Sequence, residues 1–300
     1  MAAIKRLIPL RLYQWVLSYH SKEWVMGVLK RVKGIAAQDG AGVKLSRIIN
    51  QPGFKHQDPF LMLDEFRSDD PDDYIAGFPP HPHRGFCTLT YMLAGEMAHE
   101  DSVGNKGLVG AGGVQWMKAA RGIIHAEMPK QTEGLMWGFQ LWINLPAKFK
   151  MDAPEWFDYK ADVIPEVHLQ QSMLRLIAGR YGEQEGPVNL PEQRFLVADL
   201  RFSEASSEKL DIMAYTTQLL YVYQGSITLD GEQVERGELV VFDGPLNTSI
   251  IHGEQGSGVM LLLGDAIGEP ISQYGPFVMN TTQEIEQAIR DYQQGRLTEA

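Results

Sequence analysis

The sequence predicts an all-β chain of two duplicated halves with one short helix at its C-terminal end. From Val43 onward the apolar runs are short and broken by Gly, Pro, Asp and Asn, the texture of many strands joined by turns rather than of alternating strands and helices. The run Leu219-Leu-Tyr-Val-Tyr-Gln-Gly225-Ser-Ile echoes Leu89-Thr-Tyr-Met-Leu-Ala-Gly95-Glu-Met, so an internal duplication is the economical reading. Helical periodicity is scarce until residues 282–296. There Thr282 can cap, Ile285 and Ile289 stand four apart, and acidic residues precede Arg290 and Arg296. A chain of 300 residues with 44% hydrophobic content can bury two medium cores.

Taken in order, Lys5, Arg6, Arg11, Lys22, Lys30, Arg31 and Lys33 face only Glu23 in an otherwise acidic chain. Residues 1–30 are therefore expected as a basic N-terminal extension, with an amphipathic stretch around Leu7, Leu12 and Trp15. Residues 31–150 are expected to form a first barrel. Its strands include 58–66, then 87–93 turning at Ala94-Gly95 and returning through 96–102 as a hairpin, and 135–144, ended by Leu145-Pro146. The acidic run Asp69, Asp70, Asp72 and Asp73 lacks the ligand spacing of a calcium loop and reads as solvated. Residues 151–192, rich in Pro, Glu and Gln, read as a linker and crossover, and 193–300 as a second barrel carrying the helix.

The chemistry is concentrated in two dipeptide spacings, His81-Pro-His83 and His125-Ala-Glu127. On a strand, residues i and i+2 point to the same face, so each pair presents converging donors. Three imidazoles and one carboxylate suit a first-row divalent ion such as Fe, Mn, Ni, Cu or Zn, and leave positions open for substrate. Pro80 and Pro82 restrict the backbone around His81 and lower the entropy lost on ordering the ligands. Aligning the turn glycines of the two halves sets Asp211 and Met213 against the first pair, and Ser249 and Ile251 against the second. No four-ligand set survives there, and His252 is left over without a partner pair. The second barrel is therefore expected to be degenerate.

At these residues a resemblance becomes specific. The runs DPFLMLDEFR, PPHPHRGF, RGIIHAEMP and GFQLWINLPAKFKM, within residues 58–151, resemble the pirin family of the cupin superfamily. The resemblance implies a bicupin, two jelly-roll barrels with a mononuclear iron-type site in the N-terminal one, and places the metal ligands on His81, His83, His125 and Glu127. Some pirin-like proteins cleave flavonols such as quercetin, and others are regulatory partners of other proteins. The expected activity is thus dioxygenase cleavage of an enol- or catechol-bearing aromatic, with a small aromatic substrate and dioxygen as partners and Fe(II) as the metal. The alternative is a metal- or redox-sensing protein that binds a protein partner. A redox-neutral metal isomerase is the rival enzyme class. One position departs from the family, which commonly has an acidic residue after PHRGF where this chain has Cys87.

Composition narrows the rest. A net charge of −11 and a pI near 5.2 argue against direct nucleic-acid binding, since little cationic surplus is present to displace counterions. No apolar run is long enough to span a bilayer, and the single Cys87 fits a reducing compartment, the cytoplasm by default. Glu127 is also a candidate general base, and His99 and Asp101 are candidates to fix imidazole tautomers. Trp116, Trp137, Phe139 and Trp142 are candidates to stack on a planar substrate, against the commoner fate of core packing. Cys87 shares strand parity with His81 and His83, so it is expected to point into the barrel as a buried thiol rather than a ligand.

Overall fold

The computed structural model describes residues 27–211, 215–243 and 250–299. Two jelly-roll barrels, each a seven-stranded sheet facing a four-stranded one, account for most of them. In the first barrel the large sheet runs Glu155–Tyr159, Val114–Lys118, Phe86–Ala94, Met136–Asn144, Phe60–Ser68, Val43–Ile49, Ile35–Asp39, and the small sheet runs Phe78–His83, Ile123–Pro129, Met97–Asp101, Lys106–Val109. The second barrel repeats this plan. Its large sheet contains Thr217–Gln224, Gly258–Gly264 and Phe195–Phe202 at the centre, and its small sheet Ser206–Lys209, Ile250–Gly253, Ser226–Leu229 and Glu232–Glu235.

The duplicated turn has a different geometry from the expected hairpin. Phe86–Ala94 and Met97–Asp101 do not pair; they belong to different sheets, and Gly95, at φ +83°, turns the chain from one to the other. Gly225, at φ +65°, does the same between Thr217–Gln224 and Ser226–Leu229. A positive φ is readily open to glycine and strained for most side chains, which is why the residue recurs at this corner in both halves.

The chain also crosses between barrels. Gly27–Lys33 pairs with Glu238–Asp243 of the second barrel, so the start of the described chain completes the far sheet. The stretch 151–192, expected as a linker, supplies strands to both barrels: Glu155–Tyr159 pairs with Val114–Lys118 of the first, while Ser172–Ala178 pairs with Phe195–Phe202 of the second. The basic residues of segment 1–26 lie outside the described residues.

The largest apolar cluster lies between the barrels, where Leu89, Tyr91, Phe139 and Leu141 of one large sheet meet Val197, Leu219, Tyr221 and Leu262 of the other. A second cluster, around Leu176, Leu200, Leu220 and Leu261, fills the second barrel. The helix spans Thr282–Gln293, and its cap is Thr281, one residue before the expected Thr282. Thr281 Oγ1 accepts from Glu284 N while the Glu284 carboxylate accepts from Thr281 N, a capping box. This helix and the tail after it pack back on the first barrel, burying Ile285, Ala288 and, past the helix, Leu297 against Phe277 and Met279, with Ile124 at the edge. Among the described residues no helix is long and apolar enough to cross a membrane.

Candidate metal centre

The small sheet of the first barrel sets His81, His83 and His125 side by side. Phe78–His83 and Ile123–Pro129 run antiparallel with His125 opposite His81 and Ile123 opposite His83. The donor atoms of the three imidazoles lie within 4.8 Å of one another. His81 Nδ1 stands 2.8 Å from the Pro79 carbonyl; donating there leaves its Nε2 lone pair free, and that Nε2 is 3.0 Å from His83 Nε2. His125 Nε2 is buried with no hydrogen-bond partner among the described residues. Burial first, then the neighbouring histidines, push the pKa of His83 and His125 well below the usual imidazole range, although the Pro276 carbonyl opposes this at His83. Imidazoles with converging nitrogens are the donor set a borderline divalent ion binds, whereas hard Ca2+ and Mg2+ favour oxygen donors. The residues present therefore fit a first-row transition metal.

Glu127 stands beside this cluster but is not a member of it. A register shift between His125 and Glu127 displaces its carboxylate, and both oxygens are engaged: Oε1 accepts from Thr90 Oγ1 and Oε2 from Gln140 Nε2, each at 2.8 Å. Behind His125, His99 Nδ1 lies 3.4 Å from His125 Nδ1, and His99 Nε2 lies 3.2 Å from the buried Asp101 carboxylate. The two residues suspected from sequence thus form a chain that leaves His125 Nε2 as the nitrogen facing the site.

His81, His83 and Glu127 open onto a cavity of about 570 Å3. Met62, Phe66, Trp142 and Leu45 give it apolar walls, and Arg47, Asp64 and Gln140 a polar one. Arg47 grips Asp64 with two hydrogen bonds, Nε to Oδ1 at 2.9 Å and Nη2 to Oδ2 at 2.6 Å. Burial first raises the Asp64 carboxyl to about 6, against the opposing pull of Arg47. Of the four aromatic candidates only Trp142 reaches this cavity, edge-on to His83 at 5.2 Å between centroids. Trp116, Trp137 and Phe139 pack between the barrels.

The N-terminal half matches the Pirin family over residues 42–143, and the C-terminal half matches the Pirin C-terminal cupin domain over residues 197–298. This chain belongs to the pirin family. A Pseudomonas aeruginosa protein provisionally named a quercetin 2,3-dioxygenase is 46% identical over 280 residues, 90% of this chain and 97% of that one. Human pirin is 34% identical, covering 92% of this chain and 94% of its own. Among solved structures, a quercetin 2,3-dioxygenase from Acinetobacter baumannii superposes with a TM-score of 0.83 at 30% identity, covering 91% and 98% of the two chains.

Within this pirin the thiol of Cys87 faces away from the histidines, contrary to the parity expectation. Gly85, at φ +92°, breaks the strand between His83 and Phe86 and resets the alternation. Phe86 then faces His83 at 5.1 Å between centroids, and Cys87 is buried among the residues between the barrels, where burial raises its thiol pKa well above the ordinary value. In the second barrel Asp211 is exposed, Ile251 is buried in the core, and His252 is exposed with its Nδ1 2.6 Å from the Ser207 hydroxyl. Met213 and Ser249 lie outside the described residues. Sequence reading missed Thr90, Gln140, Arg47 and Asp64. A usable signal existed: Asp64 and Gln140 interrupt otherwise apolar strands at positions of inward parity.

Proposed function

We propose that this pirin is a metal-dependent dioxygenase acting on a flavonol or a related enol- or catechol-bearing aromatic. The observation that carries the reading is the convergence of three imidazoles, two of them buried, beside a hydrogen-bonded carboxylate, at the wall of a largely apolar cavity. His81, His83 and His125 would hold the ion, with Glu127 as fourth ligand, and Fe(II) is the metal proposed. When bound, such an ion supplies a weakly positive centre that favours an anionic oxygen donor and redox access to dioxygen.

The chain's own residues do the rest. Met62, Phe66 and Trp142 give a planar ring an apolar slot and keep water from it. Glu127 accepts the proton of the substrate's enolic or phenolic hydroxyl, while Thr90 and Gln140 hold its carboxylate in place. His99 and Asp101 keep His125 in the tautomer that turns Nε2 to the site. The names carried by the P. aeruginosa and A. baumannii relatives support the choice of substrate class. The proposed setting is the cytoplasm, on the argument that a lone cysteine belongs in a reducing compartment.

The test is substrate-dependent oxygen consumption by iron-loaded protein, compared with free iron at equal concentration. Uptake that requires the protein and scales with flavonol loss is the expected result. Product formation without oxygen uptake would favour the isomerase. Intact metal binding with no enzyme-dependent turnover across a broad flavonol and catechol panel would favour a regulatory binding protein.

A further inference from the structure

The interior of the first barrel carries a polar row that ends at the metal-binding residues. Arg47 is registered against Asp64, Asp64 against Gln140, and Gln140 against Thr90, on four neighbouring strands. At one end of the row Gln140 and Thr90 donate to Glu127. At the other, two strand spacings from Gln140, or about 10 Å, Arg47 holds Asp64 and also donates through Nη2 to Asp39 at 2.7 Å. Arg47, Asp64, Asp39, Gln140 and Glu127 all line the same cavity as His81 and His83.

Two features of the remote end bear on what it can bind. The first is donor capacity: Arg47 Nη1 makes no hydrogen bond among the described residues, whereas Nε and Nη2 are committed to the carboxylates. The second is charge. One guanidinium faces two carboxylates, so the local balance is negative and a ligand bringing a carboxylate or phosphate is repelled. A pair of neutral hydroxyls satisfies both, one accepting from Nη1 and its neighbour donating to a carboxylate oxygen. A buried ion pair is a weak source of stability, because desolvation offsets much of its attraction. Asp64, 3% exposed in its side chain, and Arg47, 19%, are nonetheless set into the wall of the cavity.

We propose that Arg47, with Asp64 and Asp39, forms the remote end of the substrate site and selects an uncharged vicinal aromatic diol about two strand spacings from Gln140. This inference rests on the dioxygenase reading. It deepens that reading by assigning which end of the substrate meets which wall: the enolic end lies at Glu127 and the histidines, the catechol end at Arg47.

The experiment uses the full chain, iron-loaded, with three probes: quercetin, whose pendant ring carries adjacent hydroxyls; the flavonol lacking both; and a flavonol with a carboxylate on that ring. Wild-type protein is expected to favour quercetin over the unsubstituted flavonol by about 10- to 100-fold in kcat/KM, since buried hydrogen-bonding groups are left unpaired by the latter. The carboxylate probe is expected to be the poorest. Asp39→Asn, at an exposed position, should raise the carboxylate probe several-fold without a matching gain for the unsubstituted one. Replacing the pair together, Arg47→Met with Asp64→Leu, should bring quercetin and the unsubstituted flavonol within about 3-fold at unchanged metal content, while Arg47→Lys should restore part of the gap. Equal handling of quercetin and the unsubstituted flavonol by the wild type overturns this inference and leaves the dioxygenase reading standing. Failure to bind or turn over any flavonol overturns both.

Discussion

His81 Nε2 and His83 Nε2 lie 3.0 Å apart while His81 Nδ1 faces the Pro79 carbonyl, so two imidazoles direct the same nitrogen at one point. Without a cation, one nitrogen must donate to the other, and His125 Nε2 is buried without a partner among the described residues. A bound divalent ion resolves both. His83→Ala or His125→Ala is expected to weaken metal binding by more than about 100-fold, since each removes a proposed ligand rather than its support. The metal-free variants should unfold within about 2 kcal/mol of metal-free wild type. Metal analysis and thermal unfolding with and without chelator check this, and a variant that keeps full metal content would remove the substituted residue from the ligand set.

His99 has a different signature because it acts through His125. Asp101→Asn or His99→Gln is expected to lower metal affinity by about 10- to 100-fold while leaving one ion bound at saturation. Titration with a competing chelator measures it. Unchanged affinity in both variants would reduce the His125, His99 and Asp101 contacts to packing.

The histidine cluster was legible because a period of two is a local property of a strand and sets His81 beside His83, and the duplication because both barrels reuse a glycine corner, at Gly95 and Gly225. The helix was legible from its own charge order and spacing, to within one residue of the cap. What escaped depends on partners far along the chain. Gly27–Lys33 pairs with residues some two hundred positions away, and Arg84 with Asp291 across a comparable distance. The orientation of Cys87 was misjudged for a local reason, since alternation counts only while the strand is unbroken and Gly85 interrupts it. Thr90 carries no motif; its register opposite Gln140, and the small sheet that faces theirs, bring both residues to Glu127 and give it a role.

Glu127 is held by two donors whether or not it binds metal, so its substitution separates chemistry from fold. Glu127→Gln should fold, bind metal more weakly, and lose oxygen consumption by a larger factor than it loses stability. Gln140→Leu should instead leave one carboxylate oxygen without its donor and cost about 1 to 3 kcal/mol. Denaturant unfolding alongside oxygen-electrode rates distinguishes them. Turnover by Glu127→Gln at the wild-type rate would exclude the carboxylate as base.

Lys150 is buried, its Nζ donating to the Gly85 and Val278 carbonyls and to Asn144 Oδ1. Burial lowers its pKa from 10.5 to about 8. Between those values the unfolded chain binds more protons at this position than the folded one, so this group's contribution to stability rises with pH across that window. The shift corresponds to about 3 kcal/mol. Relative to Lys150→Met, wild-type stability should therefore increase by up to that amount from pH 8 to 10.5 and be flat below pH 7. Parallel unfolding curves across the series would show that the ammonium is not destabilised by its site.

The C-terminal segment should act on the metal centre through Arg84, the residue after His83. Its guanidinium is clamped by Asp291 Oδ2 at 2.7 Å, by the Leu297 carbonyl at 3.0 Å and by the Arg121 carbonyl, and its peptide lies between the Pro276 and Val278 backbone groups. Arg84 is 4% exposed, so removing its anionic partner leaves a buried cation only partly compensated. Asp291→Ala is expected to cost about 1 to 3 kcal/mol, less than a fully orphaned buried charge because the two carbonyls remain. Since Arg84 and His83 share a peptide bond, the same variant should weaken metal binding by several-fold, whereas Arg290→Ala, at an exposed position on the same helix, should change neither. Metal affinity and unfolding midpoint are to be measured together on both variants. A stability loss in Asp291→Ala with unchanged metal affinity would show that the helix braces the barrel without reaching the histidines.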